Sequence, residues 1–263
     1  NQAEFIASTY ERFRPANLYN GPDGALYVVD IHHGLIQHRL SVTPYVHAQY
    51  FARELNKYLD TGRIFRIVPD GAARRPAPKL AEALSAELVA NLSHANGWDR
   101  DTAQRLLVEH NSSYAVGPLK KLLASGANPL GRLHALWTLE GMRRLELPTI
   151  RLALHDADWR VRSAAVRVSE PVLGGRKRDQ LLSDVMALES DAQPNVRLQY
   201  MLTISAVGIA RTDDSIARVL KSDAHNLYIR DAALSGMRAR ELPFLTRLCA
   251  DPAWSAKGAG RDQ

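Results

Sequence analysis

The side chains able to do chemistry fall in two groups. The first is a histidine-rich stretch near the N-terminus. Of nine histidines in 263 residues, His32, His33 and His38 sit close together, with Asp30 just before them and His47 just after. Neutral imidazoles beside a carboxylate can ligate zinc or a similar ion. This spacing matches no zinc pattern, however, and the adjacent His32 and His33 would point to opposite faces of a strand. The sequence therefore assigns no metal ligand and no catalytic residue. Asp30, His32 and His33 stand as candidates for touching a substrate, because they follow a strand-like run as a polar loop. Gly-rich phosphate loops, the Gly-x-Ser-x-Gly elbow and the His-Glu-x-x-His pair do not occur. Glu140 and Glu146 are too isolated to work as a carboxylate pair. The single cysteine, Cys249, leaves no internal disulfide framework; its apolar setting, Phe244-Leu245-Thr246-Arg247-Leu248, predicts a buried, inert thiol.

The second group is a series of arginines. Arg100, Arg132, Arg162, Arg197 and Arg230 follow one another at intervals of 32, 30, 35 and 33 residues. Four positions before them stand Asn96, Asn128, Asp158, Gln193 and Asn226. Four of these five are good helix N-caps, since their side-chain oxygens accept from the free N–H groups of a first turn. Pro129 and Pro194 come next, at the favoured first helical position. Three positions after the arginines stand Ala103, Ala135, Ala165 and Ala233, small enough for close helix approach; Tyr200 interrupts the series and predicts a wider spacing there. A period near 33 residues with helical content reads as stacked helix pairs. Second helices are expected over 115–125, 147–155, 179–190, 213–222 and 241–250. The repeated arginines read as structural, bonding helix-end carbonyls or acids of the next repeat, rather than as a basic stripe. Trp98 and Trp159, near repeat starts, read as wedges between repeats, and His134 as a packed histidine.

The elements that must position the N-terminal group are strands. Residues 25–30 and 62–68 are rich in β-branched and aromatic side chains, and Gly21-Pro22-Asp23-Gly24 is a strong turn signal before the first. A short helix is expected over 48–59, with Tyr50, Leu55 and Leu59 on one face. Two or three strands leave a face and two edges open, so this unit must dock on something.

The run 13–30, with Phe13-Arg14-Pro15 leading into Gly21-Pro22-Asp23-Gly24 and the strand after it, continues through 34–39, 42–45 and Gly62-Arg63-Ile64-Phe65-Arg66-Ile67. Over residues 4–71 it resembles the last blade of the six-bladed propeller in glucose/sorbosone dehydrogenase-like proteins, in a bacterial subgroup where HEAT-like repeats and often a c-type cytochrome follow. The pattern after 96 is similar to short bacterial HEAT repeats. The first resemblance implies a periplasmic parent that oxidises a sugar or alcohol, with PQQ and calcium bound in the full-length protein. It implies as partners the missing blades of the same polypeptide and a c-type cytochrome domain or protein. No Cys-x-x-Cys-His is present for haem attachment, and none of that family's catalytic or cofactor residues maps onto this sequence, so the chain itself is expected to carry no cofactor.

The expected fold is mostly α: an α-α superhelix of about five HEAT-like helix pairs behind a small antiparallel β unit resembling one propeller blade. The expected divisions are 1–75 for the partial blade with its helical loop, 76–95 for a linker and leading helix, 96–255 for the repeat array and 256–263 for a flexible tail. The net charge of +6 is spread thinly, with nine basic and seven acidic residues before position 79, which disfavours a nucleic-acid module. No apolar run is long enough to span a bilayer. Two functions compete: the C-terminal part of a quinone- or cytochrome-linked dehydrogenase-like protein, inactive by itself with its array as a spacer, and a non-catalytic HEAT-repeat interaction scaffold. A nucleic-acid-binding HEAT protein is a third reading.

Overall fold

The computed structural model describes residues 4–37, 39–58, 60–71, 73, 75–223 and 225–255. His38, Leu59 and the tail expected over 256–263 lie outside the described residues. The chain divides into two compact units, one formed by Asn1–Lys79 with Ala95–Asp99, the other by Leu80–His94 with Arg100–Gln263.

The first unit is built on an antiparallel sheet in the order β1-β2-β3, with β1 Pro15–Asn20, β2 Leu26–Asp30 and β3 Arg63–Ile67. The turn Gly21-Pro22-Asp23-Gly24 joins β1 to β2, closed by Gly21 N–H to the Ala25 carbonyl at 2.8 Å; Gly24 takes φ 81°, which a side chain resists. Asp23 locks the sheet by accepting from Arg66 Nε at 2.6 Å and from the Tyr27 hydroxyl at 3.1 Å. The Arg66 bond holds the Asp23 carboxyl below its ordinary range. β1 has no β-branched run to announce it; it is a strand because β2 pairs with it from Pro15↔Asp30 to Asn20↔Leu26. A propeller blade has four strands, and this sheet has three among the described residues.

The helix expected over 48–59 is displaced. The helix α1 spans Pro44–Ala52, capped by Thr43 Oγ1 on Val46 N–H with Pro44 opening it. It ends early because Glu54 and Tyr58 turn into the left-handed region, at φ 55° and 58°. Arg12, 6% exposed, fixes that turn by donating to the carbonyls of Lys57 and Glu54.

The second unit opens with α2 (Ser85–Asn91) and continues as helix pairs: α3 (Gly97–His110), from Arg100 on, with α4 (Ser113–Ser125), α5 (Pro129–Gly141) with α6 (Leu147–Leu154), and α7 (Trp159–Val168) with the short α8 (Glu170–Leu173) and α9 (Leu182–Met186). Then follow α10 (Pro194–Ile204) with α11 (Ala210–Ser222), α12 (Leu227–Gly236) with α13 (Glu241–Ala250), and the turn α14 (Pro252–Ser255). The expected helix over 179–190 is broken into a 3-10 turn and α9. N-capping follows the sequence reading: Asn96, Asn128, Asp158 and Asn226 accept from the N–H two residues on at 2.8 to 3.0 Å, whereas Gln193 makes no side-chain cap. The first helices stack in a row, α5 on α7, α7 on α10 and α10 on α12. Ala103, Ala135, Ala165 and Ala233 are at most 1% exposed.

Arg132, Arg162 and Arg197 are structural, as the sequence reading holds. Arg132 grips Asp156 with its Nε and Nη2, both at 2.7 Å, and donates Nη1 to the Gly126 carbonyl. Arg162 grips Asp191 at 2.7 and 2.9 Å and donates to the Asp156 carbonyl; Arg197 grips Asp223 at 3.0 and 2.9 Å and donates to the Asp191 carbonyl. Each fork is bidentate, the strongest geometry for this pair. Tyr200, the exception among the alanines, is wholly buried. Its hydroxyl donates to Ser215 Oγ at 2.5 Å, which donates to Glu189, which Arg218 clamps. Burial pushes the Tyr200 phenol up to about 12.

Bonds from Arg197 and from Arg218 hold the carboxyls of Asp223 and Glu189 below their ordinary values. For Asp191 burial pulls upward, but the Arg162 fork and the Gln193 N–H outweigh it. Stability from these groups is full above their ordinary values of 3.8 and 4.5, and is lost as pH falls through the lower folded values. The urea midpoint should hold between about pH 7 and pH 5 and drop steeply below about pH 4. Asp191→Asn should cost about 2 kcal/mol at neutral pH. That is less than a fully buried pair, because the Arg162 guanidinium reaches water at one edge. An unchanged midpoint in that variant would show that the forks do not stabilise the array.

Candidate functional site

In the first unit, β2 ends at Asp30, which is 1% exposed and turns its Oδ1 back on the chain. That oxygen accepts from Arg14 N at 2.7 Å and His32 N at 2.9 Å, so it ties the start of β1 to the loop after β2. The loop bends sharply because His32 takes φ 53°, an unusual conformation for a residue with a side chain. His32 is 3% exposed and stacks on Tyr10, ring centroids 5.3 Å apart. Its Nδ1 lies 2.6 Å from Thr61 Oγ1. Thr61 spends its own hydrogen on the Tyr58 carbonyl. The imidazole therefore donates from Nδ1, which makes Nε2 the lone-pair nitrogen of the neutral tautomer. Asp30 Oδ2, His32 Nε2 and His33 Nδ1 are all buried without a hydrogen-bond partner among the described residues.

Of the three sequence candidates, Asp30 and His32 are thus joined, while no hydrogen bond among the described residues connects either to the His33 ring. Among the described residues no group of three or more His, Cys, Asp or Glu side chains is arranged to hold a metal. A buried carboxylate oxygen and a buried imidazole nitrogen with free lone pairs can accept hydrogen bonds from a donor that reaches them. No proton transfer is implied.

The second unit carries a surface that the sequence reading did not find. Three recesses run along the row of first helices and share their walls. The first, about 490 Å³, lies between α3 and α5, against Gln104, Glu109, Trp137 and Glu140. Trp137 also lines the second, about 330 Å³, with Trp159, Arg160 and Ser163 of α7. Arg167 and Gln199 line both the second and the third, about 820 Å³, which reaches α10 and the loop after α12. The result is one groove crossing α3, α5, α7, α10 and α12. Trp137 and Trp159 are half-buried and open to it, so their indoles form the groove floor as well as filling space between repeats. Arg160 lies over the Trp159 ring, 5.0 Å from its centroid. Thr203 and Gln199 are hydrogen-bonded in a chain that ends on Glu170, which also pairs with Arg167.

His134 is packed beneath the groove as expected. Its Nδ1 meets Gln104 Oε1 at 2.6 Å, and Arg100 Nε donates to its Nε2 at 3.3 Å. Burial lowers its pKa, so the ring stays neutral. Cys249 corrects the sequence reading: it is exposed, because α13 buries Phe244 and turns the Cys249 side of the helix outward. An apolar recess of about 470 Å³ lies beside it, lined by Leu234, Met237, Leu242, Leu245 and Trp254. No helix among the described residues is long and apolar enough to cross a membrane.

Residues 1–71 match a family described as a domain of unknown function (DUF7133). No curated protein matches the sequence. Among solved structures the chain is similar to a designed armadillo repeat protein in complex with the peptide (KR)4, at 18% identity and TM-score 0.40 over 66% of this chain and 95% of that one. A second designed armadillo repeat protein aligns at 18% identity and TM-score 0.39, over 68% of this chain and 96% of that one.

Asp30 should prove to be the clamp of the N-terminal unit. Asp30→Ala should abolish slow hydrogen exchange at the Arg14 and His32 amides, and Asp30→Asn, which keeps an acceptor oxygen, should retain it. Equal loss in both variants would mean that the charge, not the acceptor, holds the loop.

Proposed function

We propose that the helical repeats are a docking scaffold which holds an extended segment of a partner protein in the groove across α3, α5, α7, α10 and α12. The observation that carries this reading is the continuity of the three recesses through Trp137, Arg167 and Gln199. Stacked helical repeats offer a long surface to a partner. Here that surface has what peptide binding needs: indoles for apolar contact, and amide and hydroxyl groups for backbone hydrogen bonds. The forks of Arg132, Arg162 and Arg197 are occupied internally, which leaves recognition to groove residues rather than to the repeat signature. Peptides selected from a display library on the intact chain should compete with one another for one site. They should lose about ten-fold in affinity on Trp159→Ala, an indole being a typical binding anchor. Selected peptides indifferent to Trp159 and Trp137 would move the site elsewhere, and a library yielding no binder would remove the reading.

A second reading concerns residues 4–71. They would complete a propeller of the sugar or alcohol dehydrogenase type in a periplasmic parent, with the repeats spacing it from a c-type cytochrome or another partner. Two observations favour it. β1 is exposed along its whole length and β3 along most of its own, so both edge strands are open to pairing or cover. Asp30 and His32 also present unused buried acceptors among the described residues. PQQ and calcium would belong to other blades, and no residue of this chain is assigned to them. The check is an intact mass from the source organism together with a dye-linked oxidation assay on a sugar and alcohol panel, with and without quinone and calcium. A product far above 29.2 kDa with quinone-dependent oxidation supports the reading. A product of that mass without activity removes it.

A further inference from the structure

We propose that the groove reads the charge order of its ligand: an extended peptide with basic residues at the α3–α5 end, apolar residues over Trp137 and Trp159, and acidic residues at the α10–α12 end. This rests on the peptide-groove reading and adds the chemistry of the ligand to it.

The two ends of the groove differ in sign. At the α3–α5 end three carboxylates, Asp101, Glu109 and Glu140, face one arginine, Arg105. Arg105 is already bound to Glu109 at 2.9 and 3.0 Å. Asp101 is 78% exposed, and His134, 4.0 Å away, is kept neutral by burial and does not cancel it. Glu140 is exposed. Glu140 lies within electrostatic reach of Arg167, so Asp101 is the carboxylate left without a basic partner among the described residues, and Glu140 is shared between Arg167 and the ligand.

At the other end four arginines, Arg167, Arg178, Arg238 and Arg240, face one carboxylate, Glu170. Arg167 pairs with Glu170, and Arg240 with Asp213 at 2.8 Å. Among the described residues Arg178 pairs only with the adjacent, 81% exposed Asp179. Arg238 is exposed and in no ion pair among the described residues. The loop that carries it has a constrained backbone. Arg238 and Ala239 both take positive φ, 26° and 62°, and two such residues in sequence persist only when their surroundings hold them. Those surroundings are visible on both sides. Arg240 donates to the Ser205 carbonyl and to Asp213. Gly236 packs so tightly on Ser205 that a Cβ there would fall 2.6 Å from the Ser205 Cβ. The strained loop thus places one unneutralised guanidinium over the groove.

Between these ends lie the two indoles, with no carboxylate lining the middle recess among the described residues. Four helix-to-helix steps of about 8 to 10 Å separate α3 from α12. At about 3.3 Å per residue of extended chain, the groove accommodates about ten to twelve residues.

The test uses three fluorescein-labelled twelve-residue peptides on the intact chain, followed by anisotropy. All share four central apolar residues. One is acidic at one end and basic at the other, one is acidic at both ends, and one is basic at both. The mixed peptide should bind about five-fold or more tighter than either same-sign peptide at low salt, with the gap closing as salt rises. Arg238→Glu, at an exposed position and so without effect on the melting temperature, should weaken the mixed peptide about five-fold and strengthen the all-basic one. A photo-crosslinker at the acidic end should label tryptic fragments from 199–240, and one at the basic end fragments from 101–141. Equal binding of all three peptides, or crosslinks in the opposite order, overturns the charge order and leaves the groove reading standing. If no peptide binds, both fall.

Discussion

The array depends on a guanidinium fork that reaches from one repeat into the next. Asp156 shows how the rungs connect. Its side chain receives Arg132 of the preceding repeat, its Oδ1 also accepts from Asp158 N, and its carbonyl receives Arg162 of its own repeat. Asp191 repeats the arrangement between Arg162 and Arg197, with Gln193 N in the place of Asp158 N. One acidic residue therefore fixes the start of its own first helix and the distance to the helix before it. Because the same atoms do both jobs, neighbouring first helices are held at a set height and rotation. The groove needs that alignment, since its lining is assembled from residues of five helices.

The ladder changes where the sequence changes. Arg100 donates to the His94 carbonyl and to His134, and the ring's far nitrogen is tied to Gln104. Tyr200 replaces an alanine, and the extra volume is taken up by a hydrogen-bonded chain through Ser215 to Glu189 and Arg218. A phenol buried in this way keeps its proton far above neutral pH. The site is therefore a packing solution whose one polar atom is satisfied, as buried hydroxyls require, and it offers no nucleophile.

The period of the array was legible because its markers are local: an N-cap, a proline, an arginine and a small residue within one short frame. The partners of the arginines were not, because Asp156, Asp191 and Asp223 stand 24, 29 and 26 residues after them. Second helices and loops of unequal length, such as the broken segment around α9, spoil any fixed spacing. A usable signal existed, since Asp156 and Asp191 each precede the N-cap residue by two. The strand β1 was hidden for a different reason: its pairing with β2, not its composition, makes it a strand. Cys249 is exposed against expectation because an apolar neighbourhood in sequence spans two faces of a helix, and only one of them is covered.

The two candidate sites differ in how far sequence could reach them. Asp30, His32 and His33 are visible as residue types, and on a strand the two adjacent imidazoles would point to opposite faces. The chain leaves the strand at Asp30, however, and the left-handed turn at His32 places its ring against Tyr10 and Thr61. What matters there is which nitrogen keeps its lone pair, and a hydroxyl 29 residues away decides that. The groove could not be reached at all from single segments. Trp137, Arg160 and Gln199 are ordinary residues in their own helices, and they become a surface only when the ladder brings consecutive first helices into register. The groove is lined by positions at which the repeats differ from one another. The recurring frame sets the geometry, and in the proposed reading Trp159, Arg238 and the carboxylates near α3 supply the chemistry.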